Sequence, residues 1–187
     1  MSDGRGTAAD AAFAELYRRY YRPVCHFCRR RLADDLVDDA VAETFLTAWR
    51  RLEEVPTGDQ ALVWLYGVAY RVVGHQWRSV LRRRRLEVRL RSTGRRAAVA
   101  ADEVVLDLEE HRLVLAAAAR LGDTDAEVLR LSAWEQLGIA DIAAVLKIDP
   151  NAVKQRLHRA RRNLSREYRR LQPRPLSTPA AAEGGTQ

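Results

Sequence analysis

Apolar residues recur at helical spacing along most of the chain, and no stretch alternates with period two between hairpin turns. The first stripe begins near Ala9-Asp10 with Phe13, Leu16, Tyr17 and Tyr20. Pro23 interrupts it, as a kink or as the first turn of a new helix, and Val24, Phe27, Cys28 and Leu32 continue the face. A second helix is expected from about Asp35 to Leu52, where Leu36, Val37, Ala40, Val41, Thr44, Phe45, Ala48 and Trp49 fit a 3.6-residue period. The loop 53–59, with Pro56 and Gly58, breaks it. A third helix starts near Ala61 and is marked by Leu62, Leu65, Val68, Val72 and Val73. Its Gly67 and Gly74 lower helix propensity but permit close helix packing.

From Leu81 to about Ala101 the apolar pattern fails and arginine dominates. Periodicity returns from Val104 to Ala119. Asp123 or Thr124 then caps a helix holding Val128, Leu129 and Leu131. Residues 139–146 form a short amphipathic segment ended by Lys147-Ile148. Asp149 is a good N-cap for the last helix, with Pro150 at the first helical position, where its missing N–H costs nothing. Val153, Leu157, Ala160 and Leu164 form its apolar stripe, and the rest of the helix is basic or amide. Two short helices joined by a tight turn, the second basic outside, describe a helix-turn-helix.

The expected architecture is all-α, with two small helical domains joined by a flexible linker and a helix-turn-helix in the C-terminal one. The boundaries are a disordered start at 1–9, domains at 10–85 and 108–171, a linker at 86–107 and a disordered tail at 172–187.

Composition sharpens this picture. Of 187 residues, 47% are hydrophobic, enough for a core, and the formal net charge of +7 points to a polyanionic partner. The positive charge clusters in Arg82-Arg83-Arg84-Arg85 and in the last helix, whereas acidic residues gather at Asp34-Asp35 and Asp38-Asp39. That split points to two different partners. Lysine occurs only at positions 147 and 154. No apolar run is long enough for membrane insertion and no signal peptide is visible, so a cytoplasmic location is expected. Cys25 and Cys28 form a C-x-x-C without two further ligands at matching spacing. Packed, reduced thiols are expected, with no metal and no cofactor. No phosphate-cradling glycine loop or nucleophile–base set appears, so no enzyme and no small-molecule substrate are expected.

Two groups of strings resemble a known family. Residues 38–50 (DDAVAETFLTAWR) and 64–69 (WLYGVA), then 125–131 (DAEVLRL), 141–143 (DIA) and 152–161 (AVKQRLHRAR), are similar to regions two and four of bacterial RNA polymerase sigma factors. Their order, with an arginine-rich connection between them, resembles the short extracytoplasmic-function group of the sigma-70 family. The resemblance covers roughly residues 10–85 and 108–171.

The resemblance implies core RNA polymerase and promoter DNA as partners, with restraint by an anti-sigma factor as a hypothesis. It assigns core-polymerase binding to Asp38, Asp39, Glu43 and Phe45; Asp39 and Glu43, four apart, can share a helix flank. It assigns the −10 element to the loop 53–59 and the third helix, with Trp64, Arg71, His75, Gln76, Arg78 and Arg82 as candidates. The family often has Asn where this chain has Arg71. Trp64 and Trp77 are candidate stacking platforms, with core burial the alternative that weighs more for Trp64. The −35 element falls to Asn151, Lys154, Gln155, Arg156, His158, Arg159 and Arg162. Asn151, Lys154 and Gln155, near the helix start, are placed on bases, and Arg159 and Arg162 on phosphate; Arg156 and His158 suit either. The function implied is a sigma factor directing promoter-specific initiation. The rivals are a stand-alone helix-turn-helix regulator and a basic RNA-binding or ribosome-associated helical protein.

Overall fold

The computed structural model describes the backbone of residues 3–90 and 108–172, and the side chains of residues 8–79 and 112–172. All its regular structure is helical: α1 (Asp3–Arg29), α2 (Asp34–Arg50), a 3-10 turn at Leu52–Glu54, α3 (Gln60–Leu90), α4 (Leu108–Ala118), α5 (Asp123–Ala133), α6 (Ile139–Leu146) and α7 (Pro150–Leu171). Helices α1, α2 and α3 pack on one another and form the first domain. In the second, α7 is the spine, with α4, α5 and α6 against it.

Several boundaries differ from the sequence expectation, each for a physical reason. The helix begins at Asp3, inside the stretch expected to be disordered. Once nucleated, a helix gains a hydrogen bond for each residue added, and this carries α1 back through Ala9, Ala8 and Thr7 and over Gly6 and Gly4 despite the low helix propensity of glycine. Pro23 lies within α1 and starts no new helix. The full burial of Val24, Phe27 and Cys28 just beyond it offsets the lost backbone bond. Helix α3 continues through Leu90, into the expected linker. What ends at Leu81 is the apolar stripe, not helix propensity, because arginine is a good helix former and no glycine or proline intervenes. The N-cap of α5 is Gly122, not Asp123 or Thr124. Asp123 and Asp125 fall in the first turn, where negative charge suits the helix dipole. The remainder of the expected linker, 91–107, and the tail from 173 lie outside the described residues.

The core is one continuous cluster spanning both domains. Phe27, Leu65 and Val68 in the first half share it with Val128, Leu131, Ile142, Val145 and Val153 in the second. Gly67 allows this closeness: a Cβ there would stand 3.8 Å from the Val145 Cα. Phe27 stacks on Tyr66 with ring centroids 5.0 Å apart. Cys25 and Cys28 are buried thiols, and burial pushes Cys28 up to about 12, which removes thiolate chemistry near neutral pH. Asp125 fastens α5 to α7, accepting from Arg159 Nε at 2.6 Å and Nη2 at 2.7 Å, and from Arg156 at 3.4 Å.

Phe27→Ala is expected to cost about 3–5 kcal/mol in denaturant unfolding, since the site is closed on all sides. Asp125 supplies a pH test. Its hydrogen bond to Arg159 holds the carboxyl below its ordinary value of 3.8. Its contribution is therefore present above that value and lost as pH falls through the lower folded value. Asp125→Asn should lower the urea midpoint near neutral pH, and the difference from the unaltered chain should shrink as the pH falls below 3.8.

Candidate nucleic-acid interface

Helix α7 is set by its cap and its stripe. Asp149 accepts the Asn151 N–H at 2.8 Å and Pro150 occupies the first turn. Lys147, at φ 54°, reverses the chain between α6 and α7 in the left-handed region, which a non-glycine residue adopts only under strain. Val153, Leu157 and Ala160 face inward. The opposite face exposes Asn151, Lys154, Gln155, His158, Arg159 and Arg162, and Arg156 is half-buried. Asp125 holds Arg156 and Arg159 against α5. Among the described residues no carboxylate pairs with Lys154, His158 or Arg162. Further along, His158, Arg161, Arg162, Ser165 and Arg169 line a shallow basic concavity of about 370 Å³. Arg161, Ser165 and Arg169 were not among the sequence candidates, although they fall on the same helical face at spacings of three and four.

A second basic surface lies on α3. Tyr20 Oη donates to the Gly58 carbonyl at 3.1 Å, which ties the loop before α3 to α1. Gly58 has φ +65°, so glycine is required for that turn. Beside the loop is a cleft of about 350 Å³ lined by Arg51, Pro56, Gln60, Trp64, Gly67 and Arg71, and on the other wall by Ala144 and Lys147 of α6 and its cap. Trp64 is half-buried: it packs on the core and also lines the cleft, with the Arg51 guanidinium 6.0 Å from its ring. Arg51 Nε donates to Glu54 at 2.9 Å. Partial burial, and then the charge of Arg51, lower the pKa of Arg71, as expected where positive potential is not fully compensated. His75 and Arg78 are exposed beyond it and Gln76 is half-buried. The Arg82 side chain lies outside the described ones. Trp77 is tied elsewhere, its Nε1 donating to the Arg31 carbonyl at 2.9 Å.

The acidic flank is on α2, where Asp38, Asp39 and Glu43 are all exposed. Phe45 lies beneath this surface, not on it. It is 3% exposed, with the Tyr17 ring 4.7 Å and the Phe13 ring 6.4 Å away. The aromatic surface that does reach solvent beside the flank comes from Tyr17, Tyr21 and Trp49, with Leu46.

Sequence reasoning missed one buried group. Arg31, 4% exposed at its side chain, donates to Glu127 from Nε at 2.9 Å and to Glu135 from Nη1 at 3.0 Å, and to the Phe27 carbonyl at 3.0 Å. Burial alone would lower its pKa, but the two carboxylates more than offset that and raise it. Nothing in the run Arg29-Arg30-Arg31 distinguishes the buried Arg31 from the exposed Arg29 and the half-buried Arg30. Among the described residues, no three His, Cys, Asp or Glu side chains converge as metal ligands, and no helix is long and apolar enough to cross a membrane.

Comparison with known proteins fits these surfaces. The family model for sigma-70 region 2 matches residues 16–85, which carry the acidic flank and the α3 cleft. The model for sigma-70 region 4 matches residues 111–164, which carry the capped start of α7 and most of its length. Similar solved structures include CnrH in complex with the cytosolic domain of CnrY, with 25% identity, TM-score 0.61, and 89% of this chain and 96% of that one covered. Another is the sigma factor RpoE with the anti-sigma factor NepR from Bartonella quintana, with 21% identity, TM-score 0.60, and 86% and 98% covered. A third is a PhyRSL–NepR complex from Sphingomonas sp. Fr1, with 15% identity, TM-score 0.59, and 91% and 98% covered; at these last two identities the likeness concerns the fold alone. A search of the curated proteins finds no match. With region 2 and region 4 both matched, in order and across most of the described residues, the chain belongs to the sigma-70 family of RNA polymerase sigma factors, in its extracytoplasmic-function group.

Proposed function

We propose that this chain binds core RNA polymerase and directs it to promoters by reading a −10 element with α3 and a −35 element with α7. The observation that carries the reading is the pairing of two separate surfaces suited to DNA with an acidic flank suited to a basic protein partner. On α3, Trp64 beside Arg51 and Arg71 offers stacking and phosphate contact, which fits an extruded base of a single strand. On α7, Asn151, Lys154 and Gln155 sit at the helix start, where side chains reach base edges, and the basic concavity around Arg162 follows the backbone. Asp38, Asp39 and Glu43, with the aromatic rings beside them, offer charge and apolar area to a basic helical partner. In this reading the chain is a cytoplasmic transcription factor, not an enzyme, and the polymerase does the chemistry. The complex of RpoE with NepR supports restraint by an anti-sigma factor here too. A stand-alone regulator would account for α5–α7 and leave the first three helices without a role.

Core-polymerase pull-down and run-off transcription from a promoter selected with the purified protein separate the two roles. Lys154→Ala should lower promoter-specific transcript about tenfold, as for the loss of one good base contact, and leave polymerase capture intact. Asp39→Ala should reduce polymerase capture. Equal loss of capture in both variants contradicts the division, and no capture of the unaltered chain contradicts the reading itself.

A further inference from the structure

The cleft beside Trp64 takes one wall from each domain. Arg51, Gln60, Trp64 and Arg71 line one side, and Ala144 and Lys147 line the other. Its volume of about 350 Å³ falls within the range of small-molecule sites, about 300–1,000 Å³. Gly67 lies between the walls. A Cβ there would stand 3.8 Å from both Arg71 Nη1 and the Val145 Cα, so the missing side chain leaves this space open.

Three kinds of contact meet in the cleft. Trp64 is half-buried, so packing holds the indole while part of its surface is left to the cleft. Arg71 and Lys147 are exposed, and among the described residues neither pairs with a carboxylate. Arg51 adds a third cation, although Glu54 already engages it. Gln60 Nε2 donates to Asp141 Oδ1 at 3.2 Å, which leaves the Gln60 Oε1 free to accept. Lys147 supplies an independent sign. Its φ of 54° suits glycine or asparagine better than lysine, so the turn keeps a cation on the cleft at a conformational cost. An aromatic face, two unpaired cations on opposite walls and an amide acceptor together match a base joined to phosphates. A purely apolar molecule would leave the cations unused, and a simple anion would leave the indole unused.

We propose that this cleft is a binding site for a nucleoside diphosphate, with the base against Trp64 and the two phosphate groups between Arg71 and Lys147. The site needs only the cleft and goes beyond promoter reading. Stacking on an indole tolerates any base, and the phosphates make charge-assisted hydrogen bonds to both walls. The ligand therefore binds the two domains together more tightly than either alone, and its occupancy adds to the stability of the whole chain. That a bound nucleotide would also occupy the side chains offered to a promoter strand rests on the proposed role of α3.

Calorimetric titration of the full chain with ADP and with GDP, at fixed ionic strength and without DNA or polymerase, tests the site. At least one of them should bind saturably, with one site per chain, and raise the Tm. Adenosine, guanosine and inorganic pyrophosphate should each bind at least about tenfold more weakly, since each lacks one class of contact. Lys147→Asn removes the cation and keeps a residue that accepts the left-handed turn, and it should weaken nucleotide binding about tenfold. Arg162→Ala/Arg169→Ala, in the separate basic concavity of α7, should leave nucleotide binding unchanged. Absence of saturable binding overturns the proposal. So does pyrophosphate binding as tightly as the nucleotide, unchanged binding in Lys147→Asn, or loss of binding in the α7 variant. Capture of core polymerase is measured separately, so the sigma-factor reading stands or falls independently of these results.

Discussion

The ion cluster of Arg31, Glu127 and Glu135 is the interaction on which the arrangement of the molecule depends. It is a buried arginine whose nearest carboxylates stand 96 and 104 positions later in the chain. A buried guanidinium without partners is costly, so the first domain presents a group that only the second can satisfy. Around it the apolar contacts of Val128, Leu131, Ile142 and Val145 supply the attraction, and Gly67 supplies the room. The polar cluster sets the register of the contact, and the apolar cluster supplies most of its strength.

Helix α7 follows a different logic. Its direction is fixed locally by Asp149, Pro150 and the left-handed Lys147, and its seat by Val153, Leu157 and Ala160. Asp125 then commits Arg159, and in part Arg156, to holding α5 and α7 together. The remaining cations are presented outward. Charge along α7 is thus divided between fastening the domain and facing a partner, which composition alone does not reveal.

Much of this was legible in the sequence, because it depends on neighbours a few positions apart. The all-helical class, the cap at Asp149, the inward stripe of α7, the closeness allowed by Gly67 and the packed cysteines all follow from spacing and residue chemistry. What was not legible depends on distant partners or on competing effects. Arg31 looks like Arg29 and Arg30 until Glu127 and Glu135 fold onto it. Phe45 reads as part of an acidic surface motif, yet the rings of α1 close over it. The loss of the apolar stripe suggests an end to α3 near Leu81, whereas arginine carries the helix on to Leu90. The sequence leaves Trp64 between core and platform; in the structure it packs on the core and also lines the cleft, because it lies at the cleft's edge.

In the free protein the two domains are packed together through α3 and α6, around one shared core. Spin labels at Thr47→Cys on α2 and Ser165→Cys on α7 report this packing directly by pulsed dipolar spectroscopy. The free protein should give one narrow, short distance. A broad distribution of longer distances would contradict the account.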